Sequence, residues 1–285
     1  MFPKAVDQHK PDKPLVPNGL GVIYVIISAV YLFLLHAYYN QSDSSFSSAA
    51  LALAVCILFG GFLGLLDDWM SLRWRYKAFL PLFAALPLAV MREALHPEST
   101  AMATYIFGKI EFGIYFYIII IPLIITVTTN VINQLGGLNG LETIGPSIIM
   151  IGLMVKSGQG VLLYALPLAT YLLLAVFNFA GKIFVGNTGT FAIGISLASY
   201  ALISNVEQTL LISILPYVFN AALILLNFFI FRTTARLILD GNKLRAEHRR
   251  SLLTFIAYYR PLTERKLVAT VALIIAVFTL IAVLM

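Results

Sequence analysis

An all-α bundle of membrane-spanning helices is the fold class this sequence predicts, and three observations carry it. First, 60% of the 285 residues are hydrophobic and only 11% are charged, whereas soluble domains carry roughly 25% charged residues. Second, the apolar residues gather into nine runs, at about 19–39, 48–66, 78–92, 113–132, 140–156, 160–178, 188–204, 207–231 and 266–285. Most approach the ~20 residues that cross a bilayer, and 78–92 is short. Third, the cations are partitioned. With residues 1–18 in the cytoplasm, nine crossings leave sixteen Lys and Arg on that side and only Arg92, Lys109 and Lys156 on the other. That is a strong positive-inside bias, and one crossing more or fewer in mid-chain would scramble it. The chain is therefore read as a single polytopic integral membrane domain over 1–285, with about nine transmembrane helices and its polar motifs on the cytoplasmic face.

Residues 1–18 are polar and carry Pro3, Pro11, Pro14 and Pro17. Prolines make such a segment extended and semi-rigid; it either lines a cytoplasmic groove or hangs as a tail. No cleavable signal peptide is expected, because an apolar core is missing from it. Within the first run His36 is read as a packed or interfacial residue, and neither His9 nor His96 has ligand-like neighbours in sequence. The single Cys56 lies in an apolar run and reads as a buried, inert thiol.

The second run ends in Asp67-Asp68, followed by Arg73, Arg75 and Lys77 among Trp69, Trp74 and Tyr76. The C-terminal end of a helix is negative, so two carboxylates there need a positive partner. The three cations can supply it, and so can a bound metal ion. Two carboxylates beside three cations at a membrane surface suit a metal–phosphate substrate; the alternative is a solvated loop whose cations fix topology. Between the third and fourth runs, 104–112 alternates and carries glycines, as a small surface hairpin would.

Thr128 to Glu142 follows the fourth run. Asn130 and Asn133, three apart, are expected to share a helix face, where an amide oxygen can serve a hard cation such as Mg2+. Gly136-Gly137 breaks the helix and lets backbone approach a ligand. Asn139 and Glu142 have the spacing of a capping box opening the next helix. At Gly186-Asn187-Thr188-Gly189-Thr190, Asn187 is expected to be an N-cap whose free N–H groups bind an anion, phosphate especially; the alternative is that the two glycines only make a turn. The 232–266 loop carries nine cations. Its working part is read as Leu244 to Arg250, where Arg249 and Arg250 can fork onto phosphate and His248 can donate to it or carry a proton. The competing reading is a basic face on anionic lipid.

These segments share one face, which fits an enzyme joining a soluble substrate to a lipid. No nucleic-acid partner is expected. A transporter would place polar groups near the bilayer midplane and show an inverted repeat; charged residues are almost absent from mid-span and no repeat is seen.

Together the motifs resemble the polyprenyl-phosphate N-acetylhexosamine-1-phosphate transferase family (glycosyltransferase family 4), and within it the dolichyl-phosphate GlcNAc-1-phosphotransferase branch of archaea and eukaryotes. Asp67-Asp68 with Leu72-Arg73-Trp74-Arg75 and Lys77 is the most specific element. Asn130-x-x-Asn133, Asn139-Gly140-Leu141-Glu142 and Phe184-Val185-Gly186 match in order. The bacterial MurNAc-pentapeptide branch is less similar, having a histidine-rich motif where this chain has only His248.

The resemblance implies a Mg2+-dependent transfer, with Mn2+ as the substitute ion. The sugar-1-phosphate of a UDP-sugar, GlcNAc expected, passes to a polyprenyl or dolichyl phosphate and UMP leaves. It implies Asp67, Asp68 and Lys77 as catalytic residues, with the aspartates orienting or deprotonating the lipid phosphate. Asn133 and Asn187 fall at metal positions, and Lys77 and Asn130 on the lipid phosphate. Substrate contacts fall on Asn18, Asn130, Asn139 (the uridine), Glu142, Glu247, His248, Arg249 and Arg250. The expected setting is the cell membrane of a prokaryote; a homodimer is left open. Three departures stand out. Asn187 replaces the family's metal-binding aspartate and Asn18 its glutamate. The family also has a further membrane helix before residue 1, so a late start or a reduced architecture is expected. A relative that binds substrates without efficient turnover is the alternative these departures suggest.

Overall fold

The computed structural model describes residues 2–95, 100–104, 108–158 and 160–285. His96 lies outside the described residues. Twelve helices and three small hairpins are described. The N-terminal segment is neither coil nor tail: β1 (Lys4–Val6) and β2 (Leu15–Pro17) pair antiparallel, Lys4 opposite Pro17. Helix α1 (Gly21–Tyr39) follows, then α2 (Ser44–Met70), opened by the Asp43 side chain accepting from the Phe46 N–H. The short α3 (Trp74–Phe79) precedes α4 (Pro81–Leu95). The expected hairpin is present as β3 (Ala101–Thr104) and β4 (Gly108–Glu111), its turn lying outside the described residues.

A π-helical turn, Phe116–Ile120, runs into α5 (Ile121–Gln134). Then come α6 (Leu141–Ser157), α7 (Val161–Phe179) and α8 (Gly186–Ile203). The run expected as one span at 207–231 is broken. It forms α9 (Glu207–Ser213), α10 (Leu215–Leu226) and a second π turn, Asn227–Phe231, bent by 54°. Pro216 in the first turn of α10 is compatible with that break, since proline belongs at a helix start rather than mid-helix. The basic loop holds β5 (Ile238–Asp240), β6 (Lys243–Arg245) and α11 (Leu252–Tyr259), and α12 (Glu264–Leu284) ends the chain.

The protein is thus a mostly helical, polytopic membrane bundle. All nine predicted runs are helical, but fewer meet the requirements of a crossing. Among the described residues, five helices are long and apolar enough, or six if the bent pair counts as one. The remaining three explain the difference. Helices α4 and α6 have 15 and 17 residues, short of the ~20 needed. Helix α8 has 18 but is laced with Gly, Ser, Thr and Asn.

That composition follows from where α8 sits. Every residue from Thr188 to Ile203 is buried, so α8 meets protein on all sides. Its most extensive contact is with α2, and α5 and α1 also pack on it. Small and polar residues serve such helix–helix seams in membranes, where lipid is as apolar as leucine. Ser196 accepts from Tyr24 of α1 at 2.9 Å and bonds Tyr164 of α7 at 2.8 Å. The Tyr164 and Tyr200 rings stack at 3.9 Å. Cys56 is buried in the core, and His36 packs by bonding Ser47 at 2.8 Å, both as expected.

One buried amide joins α6 to α7. Asn178 accepts from the Gly140 N–H at 2.9 Å and the Thr143 hydroxyl at 3.1 Å, and donates to the Ile183 carbonyl at 2.9 Å. Asn178→Leu leaves that N–H and that carbonyl buried without partners. The expected result is a loss of about 3 kcal/mol of stability, read as a lowered melting temperature of the purified protein in detergent.

Candidate active site

The ends of four helices and the N-terminal hairpin converge on a cleft of about 370 Å3. Backbone hydrogen bonds build its floor. Pro17 accepts from Phe184, and Leu20 and Gly21 donate to Phe184 and Val185, so residues 17–21 run alongside 184–185. Five of the candidate residues line the cleft: Asn18, Asp68, Asn133, Glu142 and Asn187. They come from five separate segments spread over 170 positions of sequence.

The carboxylate pair does two different jobs. Asp67, buried in the last turn of α2, accepts from the Leu72 N–H at 3.0 Å and pairs with the Lys77 ammonium at 2.8 Å. Lys77 is thus the cation that offsets the negative helix end. Arg75 instead lies 5.7 Å over the Trp74 ring. Asp68 turns the other way. Its two oxygens accept from the Asn187 N–H (2.9 Å), the Thr188 N–H (2.9 Å) and the Thr188 hydroxyl (2.7 Å).

Asp68 therefore caps α8 from another helix, and the expectation at Asn187 is corrected. The N-cap is Val185, which makes no side-chain cap bond, and Asn187 stands inside the first turn. The free N–H groups expected to hold a phosphate hold the Asp68 carboxylate, an anion the chain supplies itself. The Asn187 side chain is left facing the cleft.

Asn130 and Asn133 do not act together. Asn133 lines the cleft, its amide oxygen accepting from the Thr190 hydroxyl at 2.6 Å. Asn130 donates to the Ala78 and Thr126 carbonyls at 3.1 and 2.8 Å, tying α5 to α3. The capping box at Asn139 and Glu142 is also corrected. The N-cap of α6 is Gly140, at φ +99°, without a side-chain bond. Glu142 reaches back to the Gly137 N–H at 3.0 Å and so closes the glycine turn. Asn139 is buried, donating to Asp7 at 2.7 Å and to Glu264 at 3.0 Å. It does not line the main cleft.

That last network was not legible in advance, because Asp7 and Glu264 lie 132 and 125 residues from Asn139. Asp7, His9 and Glu264 bring donor atoms within 4.8 Å of one another. The negative charges are already answered there: Lys10 pairs with Asp7 at 3.3 Å and the Asn139 amide bonds both carboxylates. The cluster is a clasp fastening the N-terminal hairpin to α12. Thr190 was likewise missed, though it stands in the Gly-Asn-Thr-Gly-Thr motif.

Glu247, His248, Arg249 and Arg250 do not line the cleft. Glu247 sits exposed, 3.6 Å from Arg245, and His248 accepts from the Arg236 N–H at 3.4 Å. Arg249 bonds the Tyr259 hydroxyl at 2.7 Å and lies over the Tyr258 ring at 5.3 Å. Arg250 is held by its backbone, donating to Thr254 and accepting from Asn227. A 150 Å3 pocket joins this loop, at Ala235, Leu237 and Ser251, to His9 and the Gly136-Gly137 turn. The basic loop thus borders the cleft through a shared turn.

Among the candidate residues lining the cleft the donors are hard: the amides of Asn18, Asn133 and Asn187 and the carboxylates of Asp68 and Glu142. They fit a divalent cation such as Mg2+, which takes oxygen ligands and keeps several waters for a substrate's phosphates to replace.

A helical membrane protein with a polar cleft at the ends of its helices is a class, and comparison with known proteins makes it specific. Residues 50–205 match the glycosyl transferase family 4 model, and the chain belongs to that family. A protein of Sulfolobus acidocaldarius is 37% identical over 226 residues, covering 75% of this chain and 66% of its own length. One of Saccharolobus solfataricus is 34% identical over 223 residues, covering 74% and 66%. Both are provisionally named UDP-N-acetylglucosamine–dolichyl-phosphate N-acetylglucosaminephosphotransferases. The enzyme of that name from Dictyostelium discoideum is 29% identical, covering 72% of this chain and 59% of its own. The chain spans about two thirds of the length of the two archaeal relatives.

Lys77 and Asp67 should be coupled in stability. Lys77→Met strands a buried carboxylate and is expected to cost about 3 kcal/mol. The double variant Asp67→Asn/Lys77→Met should regain most of it, as measured by melting of each protein in detergent.

Proposed function

We propose that this protein transfers GlcNAc-1-phosphate from UDP-GlcNAc to a polyprenyl phosphate of the dolichyl type, releasing UMP. The observation that carries the reading is the single cleft where Asp68, Asn133, Glu142 and Asn187 meet beside the Gly136-Gly137 turn, in a chain whose relatives bear that activity in their names. An oxygen of the lipid phosphate attacks the β-phosphorus. The bond from that phosphorus to the oxygen bridging it to the α-phosphorus breaks, and UMP carries the electron pair away.

A phosphate monoester has a second pKa of about 6, so the nucleophile is already ionised at neutral pH and needs no general base. This agrees with Asp68 having both oxygens engaged by α8. In this reading Asp68 holds the Asn187 turn and Asp67 holds Lys77, whose ammonium neutralises the incoming lipid phosphate. What remains is in-line positioning and charge neutralisation, the main needs of phosphoryl transfer. Asn133, Asn187 and the free oxygen of Glu142 would hold Mg2+, which when bound neutralises charge on the diphosphate. The loop that carries His248, Arg249 and Arg250 adjoins the Gly136-Gly137 turn, and its positive charge would attract the anionic donor.

The cation partition supports a cleft facing the cytoplasm, with a prokaryotic cell membrane as the proposed setting. In that arrangement α4, α6 and α8 complete nine crossings, inside a bundle that shields their short or polar stretches.

Purified protein given UDP-GlcNAc, a polyprenyl phosphate and Mg2+ should release UMP. Asn133→Ala should lower the rate by about 100-fold, the scale on which lost charge stabilisation acts. No UMP from any UDP-hexosamine, with nucleotide binding intact, would overturn the assignment.

A further inference from the structure

We infer that Gly64 of α2 and Gly21 of α1 are positioning residues: together with Asp68 they form a backbone socket that fixes the first turn of α8, and through it Asn187, Thr190 and Asn133. The functional part of this inference rests on the activity proposed above; the structural part does not.

The contacts are between main chains. A methyl group on Gly64 would overlap the Asn187 carbonyl oxygen and lie 2.5 Å from the Thr188 Cα. On Gly21 it would overlap the backbone of Gly189 and lie 2.7 Å from the Val185 carbonyl oxygen. Neither obstacle is the end of a flexible side chain, so neither can swing aside. Gly64 stands one helical turn before Asp68, on the same face of α2. The glycine lets the α8 backbone come close enough for the carboxylate to reach the Asn187 and Thr188 N–H groups at 2.9 Å. The third wall is the stretch at Asn18 and Gly19, whose atoms lie 3.0 Å from where a Gly186 side chain would begin.

The turn held in this way carries the chemistry. Asn187 lines the cleft from it, and Thr190, one turn further on, donates to the Asn133 oxygen at 2.6 Å. Moving the turn moves both amides. Glycine is thus required at 64 and 21 by the position of α8, although neither residue lines the cleft.

Hydrogen exchange of the wild-type protein is the first test. First-turn amides of a helix lack intrahelical partners and ordinarily exchange quickly. Here those of Asn187 and Thr188 should be protected like the middle of α8. Gly64→Ala should raise their exchange and lower kcat about 100-fold, the scale of a misplacement near 1 Å. Gly152→Ala, which meets the Thr279 methyl group between α6 and α12, is the control. Its obstacle is a side chain far from the cleft, not the backbone of α8, and it should leave both readouts near wild type. If Gly64→Ala does not fold, Thr188→Val removes one of the three Asp68 donors without this clash and should speed exchange at Asn187 several-fold. Rapid exchange in the wild type overturns the socket, as does unchanged exchange and turnover in Gly64→Ala. Absence of UMP release by the wild type overturns the activity alone, because exchange is read without substrate.

Discussion

The carboxylate of Asp68 sits on the first turn of α8, and the arrangement of the cleft depends on that contact. A helix buried from its third residue to its end has a particular problem at its start, where N–H groups without intrahelical partners cannot all turn to water. Here the last turn of α2 supplies the missing acceptor. The solution joins the two most extensively packed helices of the bundle end to start, and it brings the Asn187 and Asn133 amides into the same small space. Stability and site construction rest on one interaction.

The same economy explains the paired aspartates. Adjacent residues on a helix point about a quarter turn apart, so two carboxylates at one helix end cannot address one target equally. Asp67 goes to Lys77 and the turn into α3; Asp68 goes to α8. The pair therefore ties the second helix to its sequence neighbour and to a segment 119 residues away. For the phosphoryl transfer proposed above this division would be sufficient, because that chemistry asks for charge neutralisation and fixed oxygens more than for a proton acceptor.

A second fastening closes the cleft from the side of the chain's beginning. The β1–β2 hairpin is annealed to residues 184–185 by backbone bonds and clasped through Asp7, Asn139 and Glu264 to the start of α12. Asn139, expected as a helix cap, instead bonds Asp7 and Glu264 and holds that wall together. Glu142, expected to close a capping box, instead holds the glycine turn that forms the cleft's rim. Both residues stand out in the sequence because their spacing is that of a capping box. What each one bonds to could not be read from spacing, since the competing partners lay outside the local window.

What the sequence determined by itself is everything that depends on short-range pattern and on the membrane as solvent. Apolar runs near the bilayer thickness, a lopsided distribution of cations, proline and glycine at the breaks, and polar clusters at run ends define a helical membrane protein with a polar site at one surface. The tertiary structure decided what depends on approach between distant backbones. It broke the 207–231 run at a bend, wrapped α8 in protein so that it tolerates Ser and Thr where lipid would not, and separated Asn130 from Asn133 although three residues apart on one helix. It also filled the start of α8 with the chain's own carboxylate. The physical reason is the same in each case. A helix terminus or amide needs a partner in a dry interior, and only packing determines which distant group comes close enough to provide it.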